Sequence, residues 1–116
     1  MIEHSDLPKL SIASLGGTVS MQATAGGCGV TPTLDCEQQL LQVPQLREMA
    51  QLTVTSLSLV PSASLSFNAL LEVLAWARCE VEGGARAVIL TQGTDSLEET
   101  AYFLDLLWPF DAPLVM

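Results

Sequence analysis

The chain alternates between short apolar runs and longer stretches in which apolar residues return every three or four positions. Leu10 to Leu15, "LSIASL", alternates and stops at Gly16-Gly17, the pattern of a strand closed by a glycine turn. A stretch of small residues follows, "TVSMQATAGGCGVTPTL", with Gly26, Gly27 and Gly29 near its centre, and is expected to be loop. Asp35 can cap a helix reaching about Leu41, and Pro44 marks its end. Leu52 to Ser58, "LTVTSLS", alternates with β-branched residues and predicts a second strand, after which Val60 to Leu65 is a Pro/Ser loop.

Ser66 is placed to cap a longer helix. Phe67, Leu70, Leu71, Leu74, Ala77 and Val81 keep to one apolar face of it, and Gly83-Gly84 supplies the left-handed residue that ends it. Ala87 to Thr91 is almost continuously apolar, as a strand covered on both faces would be. Ser96 to Trp108 is helical in period and stops at Pro109, and Ala112 to Met116, "APLVM", begins a fourth strand. Strand, helix, strand, helix, strand, helix is the order of βαβ units. It predicts an α/β fold, a Rossmann-like three-layer sandwich whose mostly parallel sheet is flanked by helices and is truncated in the fourth strand.

Length and composition narrow this picture. With 116 residues the chain is one domain or part of one, and a stop inside a strand predicts a piece of a longer protein. Hydrophobic residues make up 49% and mean hydropathy is +0.41, enough for a core and high for a small free-standing domain. A net charge of −9, with only Lys9, Arg47, Arg78 and Arg86 as cations, argues against binding a phosphate backbone, so no nucleic acid partner is expected. The best apolar run is broken by Pro61 and several serines, so no membrane partner is expected either. "MIEHSDLPKL" is acidic and lacks the basic and apolar regions of a signal peptide, which points to the cytoplasm. Cys28, Cys36 and Cys79 show no CxxC spacing and read as reduced, partly buried thiols, so no metal is expected. His4 stands alone near the terminus and receives no role.

Three polar segments fall at strand ends: "GGTVS" after the first, "PSAS" after the second and "GTDS" after the third. In parallel α/β sheets the carboxyl ends of the strands share one edge, where ligands bind. In "LTQGTDSLEET" either Asp95 with Glu98 or Ser96 with Glu99 can form a capping box, and a helix start needs only one N-cap. If Ser96 caps the helix, Thr94 and Asp95 are left over at the edge. Gly16-Gly17 permits close backbone approach, and Thr18 sits just beyond it. A dinucleotide fingerprint would need G-x-G-x-x-G running into a helix; here the glycines enter a long loop, and no cofactor is expected. Ser62 and Ser64 are either solvent-facing loop or one hydroxyl offered to a small polar ligand.

"SLGGTVSM" and "GTDSLEETAYFL" resemble the two threonine motifs of the bacterial-type L-asparaginases, the asparaginase/glutaminase family. "LVPSASLSFNALLEVLA" and "APLVM" extend the resemblance over essentially the whole chain. It implies an N-terminal asparaginase domain, residues 1–116, incomplete and without the smaller C-terminal domain. It implies that Thr18 attacks the side-chain amide carbonyl of asparagine, or of glutamine, releasing ammonia through an acyl-enzyme. Thr94 becomes the second active-site threonine, Asp95 the holder of the substrate α-amino group and Ser62 the binder of its α-carboxylate, with Gly17 and Gly93 lining the substrate site. A homodimer or homotetramer is implied as well.

Two departures stand out. Residues 19–34 contain no tyrosine, where the family has one in its mobile loop, and the family's downstream active-site lysine lies past the end of this chain. Lys9 cannot replace it, since a strand of six residues at ~3.3 Å each puts it about 20 Å from the edge. The fragment alone is therefore expected to be feebly active at best. Alternatives are a component of a tRNA-dependent amidotransferase and a non-catalytic ligand-binding or assembly domain on the same fold.

Overall fold

The computed structural model describes residues 3–16, 21–23, 30–32, 36–57 and 65–116. Its frame is a four-stranded sheet in which every pair is parallel. The strands are β1 (Lys9–Ser14), β4 (Gln51–Ser56), β5 (Ala87–Thr91) and β6 (Leu114–Val115), in the order β4-β1-β5-β6. The register sets Ser14 opposite both Ser56 and Thr91, so β1, β4 and β5 end level with one another. That edge is tied further by Leu15 N–H donating to Thr91 O at 2.7 Å and Leu57 N–H donating to Ser14 O at 2.9 Å.

Alternation along the strands splits the core into two layers. Ala13, Leu15, Val88 and Leu90 face α3 (Phe67–Glu82) and α4 (Leu97–Leu107), meeting Val73, Leu74, Ala77 and Leu104. Ile12, Leu52, Val54 and Ile89 face the other way, toward Leu40 of α1 (Cys36–Leu40) and Leu46 of α2 (Leu46–Met49). Helices thus cover both faces, as the α/β reading requires. The second layer is thinner: residues of β5 facing α3 and α4 are fully buried, whereas Ala87, Ile89 and Thr91 are half-buried.

Local chemistry explains where the helices start and stop. Ser66 is extended and its hydroxyl accepts from Ala69 N–H at 3.1 Å, capping α3. At the other end Gly84 N–H donates to Val81 O and Ala85 N–H to Glu80 O, the paired bonds of a Schellman turn. Gly84 holds the left-handed conformation, φ 106°, that this turn demands. After α4, the Trp108 indole N–H donates to Ala112 O at 2.8 Å and the ring packs edge-on against Phe110. This closed loop delivers β6 to its place beside β5.

The structure also departs from the sequence reading. The segment expected to be loop contains a two-stranded antiparallel sheet, β2 (Met21–Ala23) with β3 (Val30–Pro32). Strands of three residues are too short for alternation to show. Pro44 does not simply end a helix: its carbonyl accepts from Arg47 N–H in the first turn of α2, where proline's missing donor costs nothing. The buried stripe of α3 is Leu70, Val73, Leu74 and Ala77, while Phe67 and Leu71 are 74% and 47% exposed. Phe67 instead stacks against Phe103 of α4 with ring centroids 5.6 Å apart. Cys79, expected to be partly buried, is an exposed free thiol. Asp35 lies outside the described residues.

Candidate active site

The order of the strands fixes where a ligand would sit. From β1 the chain passes to α1, which packs on β1 and β4, and returns as β4 on one side. From β5 it passes through α4 and returns as β6 on the other side. The connections leaving the neighbouring strands β1 and β5 therefore diverge. A crevice opens between two such carboxyl ends, and this topological switch point is the usual ligand site of open α/β sheets.

On the β1 side the exit is made by Gly16, whose φ of 82° is open only to glycine at low cost, and whose N–H donates to the buried Ser14 hydroxyl at 3.2 Å. The glycine turn expected from the sequence thus stands at this position. Gly17, Thr18 and Ser62 lie outside the described residues.

On the β5 side Gln92 and Gly93 are buried, and the chain then surfaces in a 3₁₀ turn, Thr94–Ser96, that runs into α4. Thr94 and Asp95 are exposed, with Glu98 and Glu99 behind them in the first turn of α4. The site is acidic and solvent-open, suited to a small ligand carrying an ammonium group. A cavity of about 400 Å³ adjoins it, between the starts of α3 and α4, lined by Ser66, Phe67, Ser96 and Glu99 among others. A second cavity, about 600 Å³, runs along α4 and β6.

Ser96 holds the N-cap position of α4 but its hydroxyl makes no capping bond to the helix. It accepts instead from Gln92 Nε2 at 3.4 Å. The division of labour expected from the sequence is thereby altered: the 3₁₀ turn takes up Thr94, Asp95 and Ser96 together. Gln92 itself had no role in the sequence reading. The signal for it was a lone amide closing an apolar strand directly before the polar turn.

Comparison with known proteins decides the family. Residues 9–116 match the family described as "Asparaginase, N-terminal". The chain belongs to this asparaginase family. It is 34% identical over 112 residues to a probable L-asparaginase of Deinococcus radiodurans, covering 97% of this chain and 33% of that protein. It is 30% identical to one component of the glutamyl-tRNA(Gln) amidotransferase of Methanosarcina barkeri, covering 95% of this chain and 26% of that one. Among solved structures, a probable cytoplasmic L-asparaginase from Campylobacter jejuni superposes with a TM-score of 0.77 at 26% identity, covering 84% of this chain and 31% of that one. The chain thus spans about a third of the length of the asparaginases it matches. The fold and family expected from the two threonine motifs are both found. Among the described residues no group of His, Cys, Asp and Glu could hold a metal ion, and no helix is long and apolar enough to cross a membrane.

Proposed function

We propose that the protein hydrolyses the side-chain amide of L-asparagine to L-aspartate and ammonia through a threonine acyl-enzyme, with residues 1–116 forming the front part of its N-terminal domain. What carries the reading is a juxtaposition. In a member of the asparaginase family, Gly93-Thr94-Asp95 leaves β5 beside the Gly16 turn, two residues before Thr18. In this reading Thr18 attacks the amide carbonyl and Thr94 assists on the opposite side of the switch point. A threonine hydroxyl is a weak nucleophile until a neighbouring base or charged network takes its proton. Backbone N–H groups of the Thr94 turn are suited to the oxyanion of the tetrahedral intermediate. The Asp95 carboxylate holds the α-ammonium group. The α-carboxylate, which the acidic turn would repel, goes to the neutral Ser62, with Gly17 and Gly93 allowing close approach.

Residues 1–116 alone lack the family's downstream lysine, and a missing proton-transfer partner costs roughly 10² to 10⁴ in rate. The isolated chain is therefore expected to be nearly inactive, and the site to work in a longer chain that assembles as a homodimer or homotetramer in the cytoplasm. A second reading, an amidotransferase component acting on a glutamine or glutamyl-tRNA substrate, is favoured by the likeness to the Methanosarcina barkeri amidotransferase component. The net charge of −9 argues against direct tRNA contact by this region. Ammonia release from free asparagine by the full-length protein, with no tRNA present, separates the two. Release supports hydrolysis, and release only with charged tRNA supports the second reading.

A further inference from the structure

Gln92 stands beside the candidate site, and the proposed reaction does not use its chemistry. It is 5% exposed and closes β5 on the face turned to α3 and α4, in step with Val88 and Leu90. Its Nε2 donates both to Gly93 O at 3.3 Å and to Ser96 Oγ at 3.4 Å. One amide group thus grips the two ends of the turn that carries Thr94 and Asp95. Its Oε1 has no hydrogen-bond partner among the described residues. A buried amide oxygen without a partner lowers stability, and an apolar side chain of the same shape would avoid that cost. Filling space therefore does not account for glutamine at this position, whereas its donor group does.

We propose that Gln92 is a positioning residue for the asparaginase site: its amide N–H₂ clamps Gly93 to Ser96 from beneath and sets the presentation of Thr94 and Asp95. The inference rests on the proposed reaction only for its kinetic consequence. The clamp itself is a statement about the turn. Methionine has nearly the shape of glutamine and neither hydrogen-bonding atom, so Q92M removes the clamp while keeping the packing. Q92N keeps the amide but is one methylene shorter and cannot span both partners.

Three quantities are measured for the full-length wild type, Q92M and Q92N: Tm, amide hydrogen exchange across residues 93–98, and asparagine kinetics. In both variants the turn amides should exchange roughly five- to tenfold faster, the size of one or two lost neutral hydrogen bonds. In Q92M, Tm should stay within a few degrees of wild type, because losing the orphan oxygen offsets the loss of the donor to Gly93 O, while kcat falls and KM rises by similar factors. A residue with a merely structural role would show the reverse, a lower Tm with unchanged kinetics. Unchanged exchange of the turn in Q92M overturns the proposal whether or not the enzyme is active. So do kcat and KM within twofold of an active wild type. If the wild type releases no ammonia, the proposed reaction fails and the exchange data alone decide the clamp.

Discussion

In the proposed reaction Asp95 serves two purposes at a helix start. An acidic side chain just ahead of α4 complements the helix dipole, and that alone would account for its presence. Its exposure beside the switch point suits it to the second use proposed for it, recognition of a substrate ammonium. A charge-assisted hydrogen bond of this kind contributes about 1.5–3 kcal/mol. Asp95→Asn should therefore raise KM for asparagine about tenfold or more while the protein keeps its Tm within a few degrees, as steady-state kinetics and calorimetry would read. Two other single residues carry local structure. Ser66→Ala removes the side-chain cap that Ser66 gives α3 and should cost about 1 kcal/mol in urea unfolding. Gly84→Ala makes only ordinary van der Waals contact, with Lys9 atoms 4.0 Å from the added carbon. Its expected cost of about 1–2 kcal/mol is pure backbone strain at φ 106°.

Among the elements, α4 links packing to the site, since its start forms the turn and its body anchors it. Leu104 is 1% exposed against the sheet, whereas Leu106, two positions on, is 65% exposed. Leu104→Ala should destabilise by about 2–5 kcal/mol and Leu106→Ala by less than about 0.5, measured side by side in denaturant. A small cost at Leu104 would mean that α4 does not dock as described.

The elements also show what the residues alone could tell. The glycine turn at Gly16 after β1, the end of β5 at Thr91, the Ser66 cap and the stop at Gly83-Gly84 were legible, because each depends on local φ/ψ needs or on an apolar run of strand length. Where tertiary contacts decide, the reading slipped. Phe67 and Leu71 fit the helical period as well as Val73 does. Which side of a broad stripe is buried depends on where β5 and α4 lie, and periodicity carries no information on that. The β2–β3 hairpin was hidden by composition, and Gln92 by its being a single residue with no pattern around it. Thr94 and Asp95 stand out as candidates for the opposite reason: a helix start has limited need for polar groups, and "GTDSLEE" exceeds it.

For the molecule as a whole, topology rather than any single motif joins the halves of the candidate site. Thr18 and Thr94 are far apart in sequence, and they belong to one site only if β1 and β5 are neighbours with ends in register. The pairing of Ser14 with Thr91 meets that condition. The acidic surface has little internal compensation among the described residues. The one ion pair among them, Arg47 with Glu37 at 2.9 Å, is exposed and contributes at most about 1 kcal/mol. The exposed apolar residues of α4, including Tyr102 and Leu106, lie on the same helix as the cavity shared with β6.

Joint action of Thr18 and Thr94 in amide hydrolysis is the central functional proposal. It is tested by ammonia release from L-asparagine by the full-length protein and by its Thr18→Ala and Thr94→Val variants, each checked for an unchanged Tm. Release by the wild type and a loss of at least about a hundredfold in each folded variant are expected. Wild-type rates in both variants would refute the joint role.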